Sequence, residues 1–164
     1  MGPPSSGLAL ASHVTLAGVV GLAGVASLHG LPPGQRRGNL AVLANATVWA
    51  TATTGWLKVT VGRKRPVLYT SDAPAAASDP DNQRSWPSGH TAAAFSAATA
   101  YLVLAGRQHL PHRTRNAVLL YAGAVGVAAL RVAAAKHFPT DVVGGAALGA
   151  GIGWLTATVH PTVP

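Results

Sequence analysis

Formal charge is confined to short stretches between long uncharged runs. Apart from the terminal amine, residues 1–35 carry none, and further charge-free runs span 38–57, 85–106, 116–130 and 142–164. A bilayer core takes about 20 mostly apolar residues per helix, so five such runs predict a polytopic membrane protein. The alternative is a soluble all-helical domain rich in Ala and Gly, which a mean hydropathy of only +0.31 keeps open. The first run lacks the basic start of a secretion signal. Its apolar stretch, 8–28, also exceeds the roughly 7–15 residues of a signal core, so it reads as a retained first helix.

The pattern predicts an all-α, polytopic transmembrane bundle of about five helices, near 8–29, 40–61, 88–106, 116–135 and 140–159. The turn Leu31-Pro32-Pro33-Gly34 ends the first helix, and Pro111 breaks the connection between the third and fourth. Residues 70–85, rich in Ala, Pro, Ser and Asp, read as a mobile extramembrane loop within a single domain, 1–164. Alternating helices put the ends of helices two and four and the starts of three and five on one membrane face. In the last helix, Gly145, Gly149 and Gly153 form a stripe at helical spacing, which suits close helix packing, here expected within one subunit.

Composition narrows the chemistry. The chain has no cysteine, so thiolate catalysis and Cys-based zinc sites are excluded. Asp72, Asp79, Asp81 and Asp141 are the only acids, there is no Glu, and the net charge is +8. That balance favours anionic partners. Nucleic acid is not expected, because no basic helix face, aromatic platform or zinc-finger spacing supports it. Anionic lipid headgroups and phosphorylated substrates fit better. Asp79 and Asp81 read as solvated residues and not as a metal site; no metal or cofactor is expected.

Three clusters carry candidate chemistry: Lys58-x6-Arg65-Pro66, Pro87-Ser88-Gly89-His90 and Arg131-x5-His137-x3-Asp141. Ser88 is a good N-cap and Gly89 lets an anion approach the backbone. A first helical turn with its free N–H groups is a ready anion site. Arg131 lies in an apolar segment, where a charge costs about 2.5–3.5 kcal/mol by insertion scales unless compensated, and a phosphate is a suitable bidentate partner. Asp141, four residues after His137, can fix an imidazole tautomer and leave the other nitrogen as nucleophile or base. From the residues alone His90 and His137 remain interchangeable in role. Arg63 and Lys64 stay undecided between ligand duty and a headgroup-facing run. His13, His29, His109, His112 and His160 fall outside the clusters and read as structural or interfacial. Trp56, Trp86 and Trp154 sit near helix ends, as interfacial tryptophans do.

The three clusters in this order resemble the tripartite signature of the type 2 phosphatidic acid phosphatase and vanadium haloperoxidase superfamily. The gaps are similar too: twenty residues from Pro66 to Pro87 and forty from His90 to Arg131. One departure is Leu130, which stands where the family usually has Ser before the arginine. The resemblance implies His137 as the nucleophile that forms a phosphohistidine, oriented by Asp141, with His90 as the general acid. It further implies that Lys58, Arg65, Arg131, Ser88 and the Gly89 amide hold the phosphoryl oxygens without a metal.

The expected function is an integral-membrane phosphatase that removes the terminal phosphate of a lipid phosphate or diphosphate, of polyprenyl diphosphate, phosphatidic acid or phosphatidylglycerol phosphate type. The alternatives are a vanadate-dependent haloperoxidase-like enzyme and a non-catalytic membrane protein that binds anionic headgroups. Expected partners are the bilayer and its lipid phosphates; the oligomeric state stays open. A small Lys/Arg bias, five residues against four once Lys58, Arg65 and Arg131 are set aside, predicts a multi-pass cell-membrane protein with an extracytoplasmic site.

Overall fold

The computed structural model describes residues 5–160 and is all-helical, with no strand among those residues. Five long helices, α1 (Ser6–Ala26), α2 (Pro33–Val61), α4 (Gly89–Arg107), α5 (Arg113–Ala133) and α6 (Pro139–Val159), run up and down. The short α3 (Ala73–Ala76) lies in the α2–α4 connection. Helices of 21 residues, such as α1, α5 and α6, span about 31 Å. These three are long and apolar enough to cross a membrane.

Local signals set the boundaries. The Ser5 hydroxyl accepts from the Leu8 amide at 3.3 Å and starts α1. Pro33 and Pro139 stand in the first turns of α2 and α6, where the missing N–H is no loss. Gly62, at φ 59°, ends α2 in the left-handed region and returns its amide to the Lys58 carbonyl. The α2 helix starts seven residues before the expected 40. Pro33 nucleates it early, and Arg36 and Arg37 lie on its first turns, beyond the uncharged run.

At the centre is α4, packed by α1, α2, α5 and α6. Ala, Ser and Thr fill most of its buried positions, so neighbouring backbones come close. The glycine stripe of α6 is the clearest case. A Cβ at Gly145, Gly149 or Gly153 would run into the carbonyl oxygen of Ser88, Ala92 or Ser96 on α4. The stripe therefore packs within the subunit, as expected. Much of the outer surface is apolar, with Val14, Val48, Trp49, Trp56, Val118, Val143 and Trp154 exposed, while Ser, Thr, Asn, Arg131, His137 and Asp141 are buried. The α2 hydroxyls of Thr51 and Thr60 bond back to the carbonyls one turn earlier at 2.8 Å, which hides them from an apolar surround.

The connection 62–88 is more structured than a plain loop. It carries two 3-10 turns, Pro66–Tyr69 and Pro80–Gln83, besides α3. Two backbone bonds cross it, Arg65 N–H to the Asn82 carbonyl at 2.8 Å and Ser85 N–H to the Arg63 carbonyl at 2.7 Å. They hold the segment against the end of α2 and place Arg65 and Asp81 over the bundle.

Candidate active site

The starts of α1, α4 and α6 meet the ends of α2 and α5 around a cavity of about 370 Å³. Lys58, Arg65, Gly89, His90, Arg131 and His137 line it, together with Ala9, His13, Asp81 and Lys136. Six of the eight residues expected at a phosphate site thus share one wall. The other two, Ser88 and Asp141, lie buried beneath it.

Each side chain arrives there for a local reason. Lys58 occupies the last turn of α2 and Arg131 the last turn of α5. After Arg131 the chain reverses through Ala135 at φ 53°. The Lys136 amide donates to the Arg131 carbonyl at 3.1 Å, which sets Lys136 and His137 directly behind the arginine. Ser88 caps α4 only by position. Its hydroxyl accepts from the Thr91 hydroxyl at 3.0 Å and makes no side-chain cap. Its amide donates to the Asp141 carbonyl at 2.9 Å, tying the starts of α4 and α6 together. Gly89 and His90, in the uncapped first turn, reach the cavity, so the positive end of α4 faces it.

Asp141 is fully buried and heavily bonded. Its Oδ1 accepts from Arg63 Nη1 at 2.7 Å, and its Oδ2 accepts from the Phe138 amide at 2.8 Å and from the Ser85 hydroxyl. Arg63 also donates to Thr140 at 2.7 Å and stacks over the Phe138 ring at 4.5 Å. The carboxylate is therefore rigid. His137 Nδ1 lies 3.6 Å from Oδ2, beyond a hydrogen bond, and has no partner. That leaves Nε2 as the nitrogen toward the cavity. Burial pulls the His137 imidazole down to about 4, with the Asp141 carboxylate opposing and the charges of Arg131, Lys58 and Arg65 adding to the fall. It is neutral at pH 7 and has an available lone pair.

The cations are underused. Arg131 is buried and makes one side-chain bond, Nη1 to the Ser12 hydroxyl at 3.3 Å, while its Nε has no partner. Arg65 also has an unpartnered Nε and meets Asp81 only loosely, at 3.9 Å. Burial lowers the Arg65 pKa below its ordinary value, and the negative charges of Asp81 and Asp79 oppose this. Four cations, Lys58, Arg65, Arg131 and Lys136, face one carboxylate across the cavity. Buried donors without acceptors are costly, and a tetrahedral oxyanion supplies several acceptors at once. No three His, Asp or Glu side chains converge as a metal-ligand set among the described residues.

Several site residues escaped the sequence reading. Ser85 holds Asp141 together with Arg63, whose role the sequence left undecided, and Lys136 completes the wall beside Asp81, which is solvent-exposed as expected. His13 on α1 touches His90, their ring nitrogens 2.9 Å apart. The available signal for α1 was the polar group Ser12, His13 and Thr15 inside a mostly apolar run, since polar groups at membrane depth mark function.

A family model described as the PAP2 superfamily matches residues 39–163. It covers all three clusters and leaves α1 outside. A search of curated proteins finds no match to the chain.

Proposed function

We propose, for a chain that belongs to the PAP2 superfamily and so to a family of phosphatases, that it is an integral-membrane enzyme acting on lipid phosphates or diphosphates. The observation that carries this reading is one continuous lining. The cationic cavity shares Lys58, Gly89 and His90 with an adjoining groove of about 270 Å³, whose other walls are Leu16, Thr51, Thr54, Gly55 and Ala93. A charged head in the first and a hydrocarbon start in the second matches the chemistry of a lipid phosphate.

In this reading His137 Nε2 attacks phosphorus and the bond to the lipid oxygen breaks. That oxygen takes a proton from His90. Water then gives a proton back to His90 and attacks the phosphohistidine, which releases phosphate and neutral His137. Lys58, Arg65, Arg131 and the Gly89 amide hold the three equatorial oxygens, whose charge is greatest in the transition state. Asp141, fixed by Arg63, Ser85 and the Phe138 amide, stands 3.6 Å from His137 Nδ1 and balances the positive charge on its ring. Ser88 contributes by anchoring the α4 start to α6. Fixed cations do the work that a metal does in other phosphatases, so the proposed reaction is metal-independent. The proposed place of action is the cell membrane, with the cavity on the extracytoplasmic face.

Phosphate release from a detergent-solubilised panel of lipid phosphates and diphosphates, with and without EDTA and vanadate, tests the reading. It expects release that survives EDTA and is blocked by vanadate, a phosphate mimic. Release abolished by EDTA contradicts the metal-free site. Turnover confined to soluble sugar or nucleotide phosphates contradicts the lipid assignment.

A further inference from the structure

The α1 helix lies outside the matched residues 39–163, yet it supplies part of the cavity. Ala9 and His13 line it, and Ser12 accepts from Arg131. His13 Nδ1 stands 2.9 Å from His90 Nε2, with the two rings edge to face at 4.4 Å. Such a bond needs one ring nitrogen as donor and the other as acceptor, so the pair fixes the tautomer of both rings. His90 Nε2 is thereby occupied, and Nδ1 is the nitrogen left for a leaving oxygen. His13 is exposed and His90 half-buried, and both line the cavity.

We propose that His13 is the positioning and proton-supplying partner of His90, a part of the acid machinery that α1 adds to the site. The inference rests on the phosphatase reading above. With a phosphorylated substrate bound, His13 carries protons on both nitrogens and His90 carries one, on Nδ1. When the phosphorus–oxygen bond breaks, His90 gives its Nδ1 proton to the lipid oxygen and takes the Nδ1 proton of His13 at Nε2. Both rings end neutral. In hydrolysis of the phosphohistidine the transfers reverse: water gives a proton to His90 Nδ1 and His90 returns its Nε2 proton to His13. The groups around the pair are Lys58 from α2, Arg65 and Asp81 from the connection, Arg131 from α5, and Lys136 and His137 from the link to α6.

The test separates acid supply from packing through the leaving group. An alkoxide of a lipid needs protonation, whereas p-nitrophenolate leaves without it. His13→Ala is expected to lower kcat/KM for an alkyl lipid phosphate about tenfold or more, with p-nitrophenyl phosphate within about threefold of the unaltered protein. His13→Gln, which keeps a hydrogen bond but cannot become a cation, is expected to lose on the lipid substrate as well. In a His90→Ala background, His13→Ala is expected to add nothing. Equal losses on both substrates in both variants would make the contact structural and overturn the proposal, as would wild-type rates on the lipid. No release from either substrate by the unaltered chain would overturn the phosphatase reading and this inference together; an active enzyme indifferent to His13 overturns only the inference.

Discussion

The two ends of the bundle carry the same kinds of polar side chain and treat them oppositely. At the end away from the cavity, Asn39 and Gln108 exchange two side-chain bonds of 2.8 Å, and Asn39 donates to the Ser27 carbonyl at 2.9 Å. Asn116 donates to the Tyr101 hydroxyl at 3.0 Å, and Arg107 donates to the Ala157 and Thr158 carbonyls at the end of α6. These groups satisfy one another. At the cavity end, Arg65 Nε, Arg131 Nε and His137 Nδ1 are buried without partners. Satisfied buried polar groups hold a fold together, and unsatisfied ones call for an explanation. The two arginines line the cavity and suit an anionic ligand there, while His137 Nδ1 faces the Asp141 carboxylate at 3.6 Å.

Substituting one arginine at each end, buried Arg131 and exposed Arg107, sharpens the contrast. Arg131→Ala is expected to reduce phosphate release about 10²–10³-fold, while Arg107→Ala at the other end leaves turnover per folded molecule within about twofold. Comparable losses at both arginines, read as steady-state rates in detergent, would erase the distinction.

The next effect is in pH. His137 acts as a neutral ring, and its pKa is depressed to about 4. Its contribution to kcat/KM is therefore full at neutral pH and falls as pH drops through about 4, not through the ordinary value near 6.5. The stability sign agrees. The unfolded chain takes up this proton near 6.5 and the folded chain only near 4, so the stability tied to a neutral His137 is lost over that window on acidification. An acid limb near 6.5 would mean a wet, exposed imidazole.

A smaller effect belongs to the satisfied end. Asn39→Leu orphans the Gln108 amide and is expected to cost about 0.6–2 kcal/mol, read as a lower thermal midpoint with unchanged KM. Smallest is Ala135→Gly at the left-handed residue behind Arg131. Removing the Cβ relieves roughly 1 kcal/mol of backbone strain, partly offset by chain entropy, so the midpoint rises by a few degrees at most.

The satisfied end was barely legible in the sequence, and the cavity end largely was. Charge-free runs located five long helices, because apolar length is a local property. Lys58, Arg65, Gly89, His90, Arg131 and His137 were legible because their spacings and flanking Pro and Gly residues are local too. The pairings that finish the site are not. Asp141 meets Ser85 across 56 positions and Arg63 across 78, and His90 meets His13 across 77. No window of sequence contains both partners. Ser88 read as a phosphate ligand through the family resemblance, on its place in Pro87-Ser88-Gly89-His90. Its hydroxyl is buried and accepts from Thr91, a contact set by the packed start of α4.

The central claim is that His137 takes the phosphoryl group. Brief mixing with a lipid phosphate labelled with ³²P in its terminal group, followed by quenching in alkali, tests it directly. The account predicts an alkali-stable, acid-labile label on His137 that is absent from His137→Ala. Label that persists in that variant, or phosphate release without labelled protein at any mixing time, would contradict it.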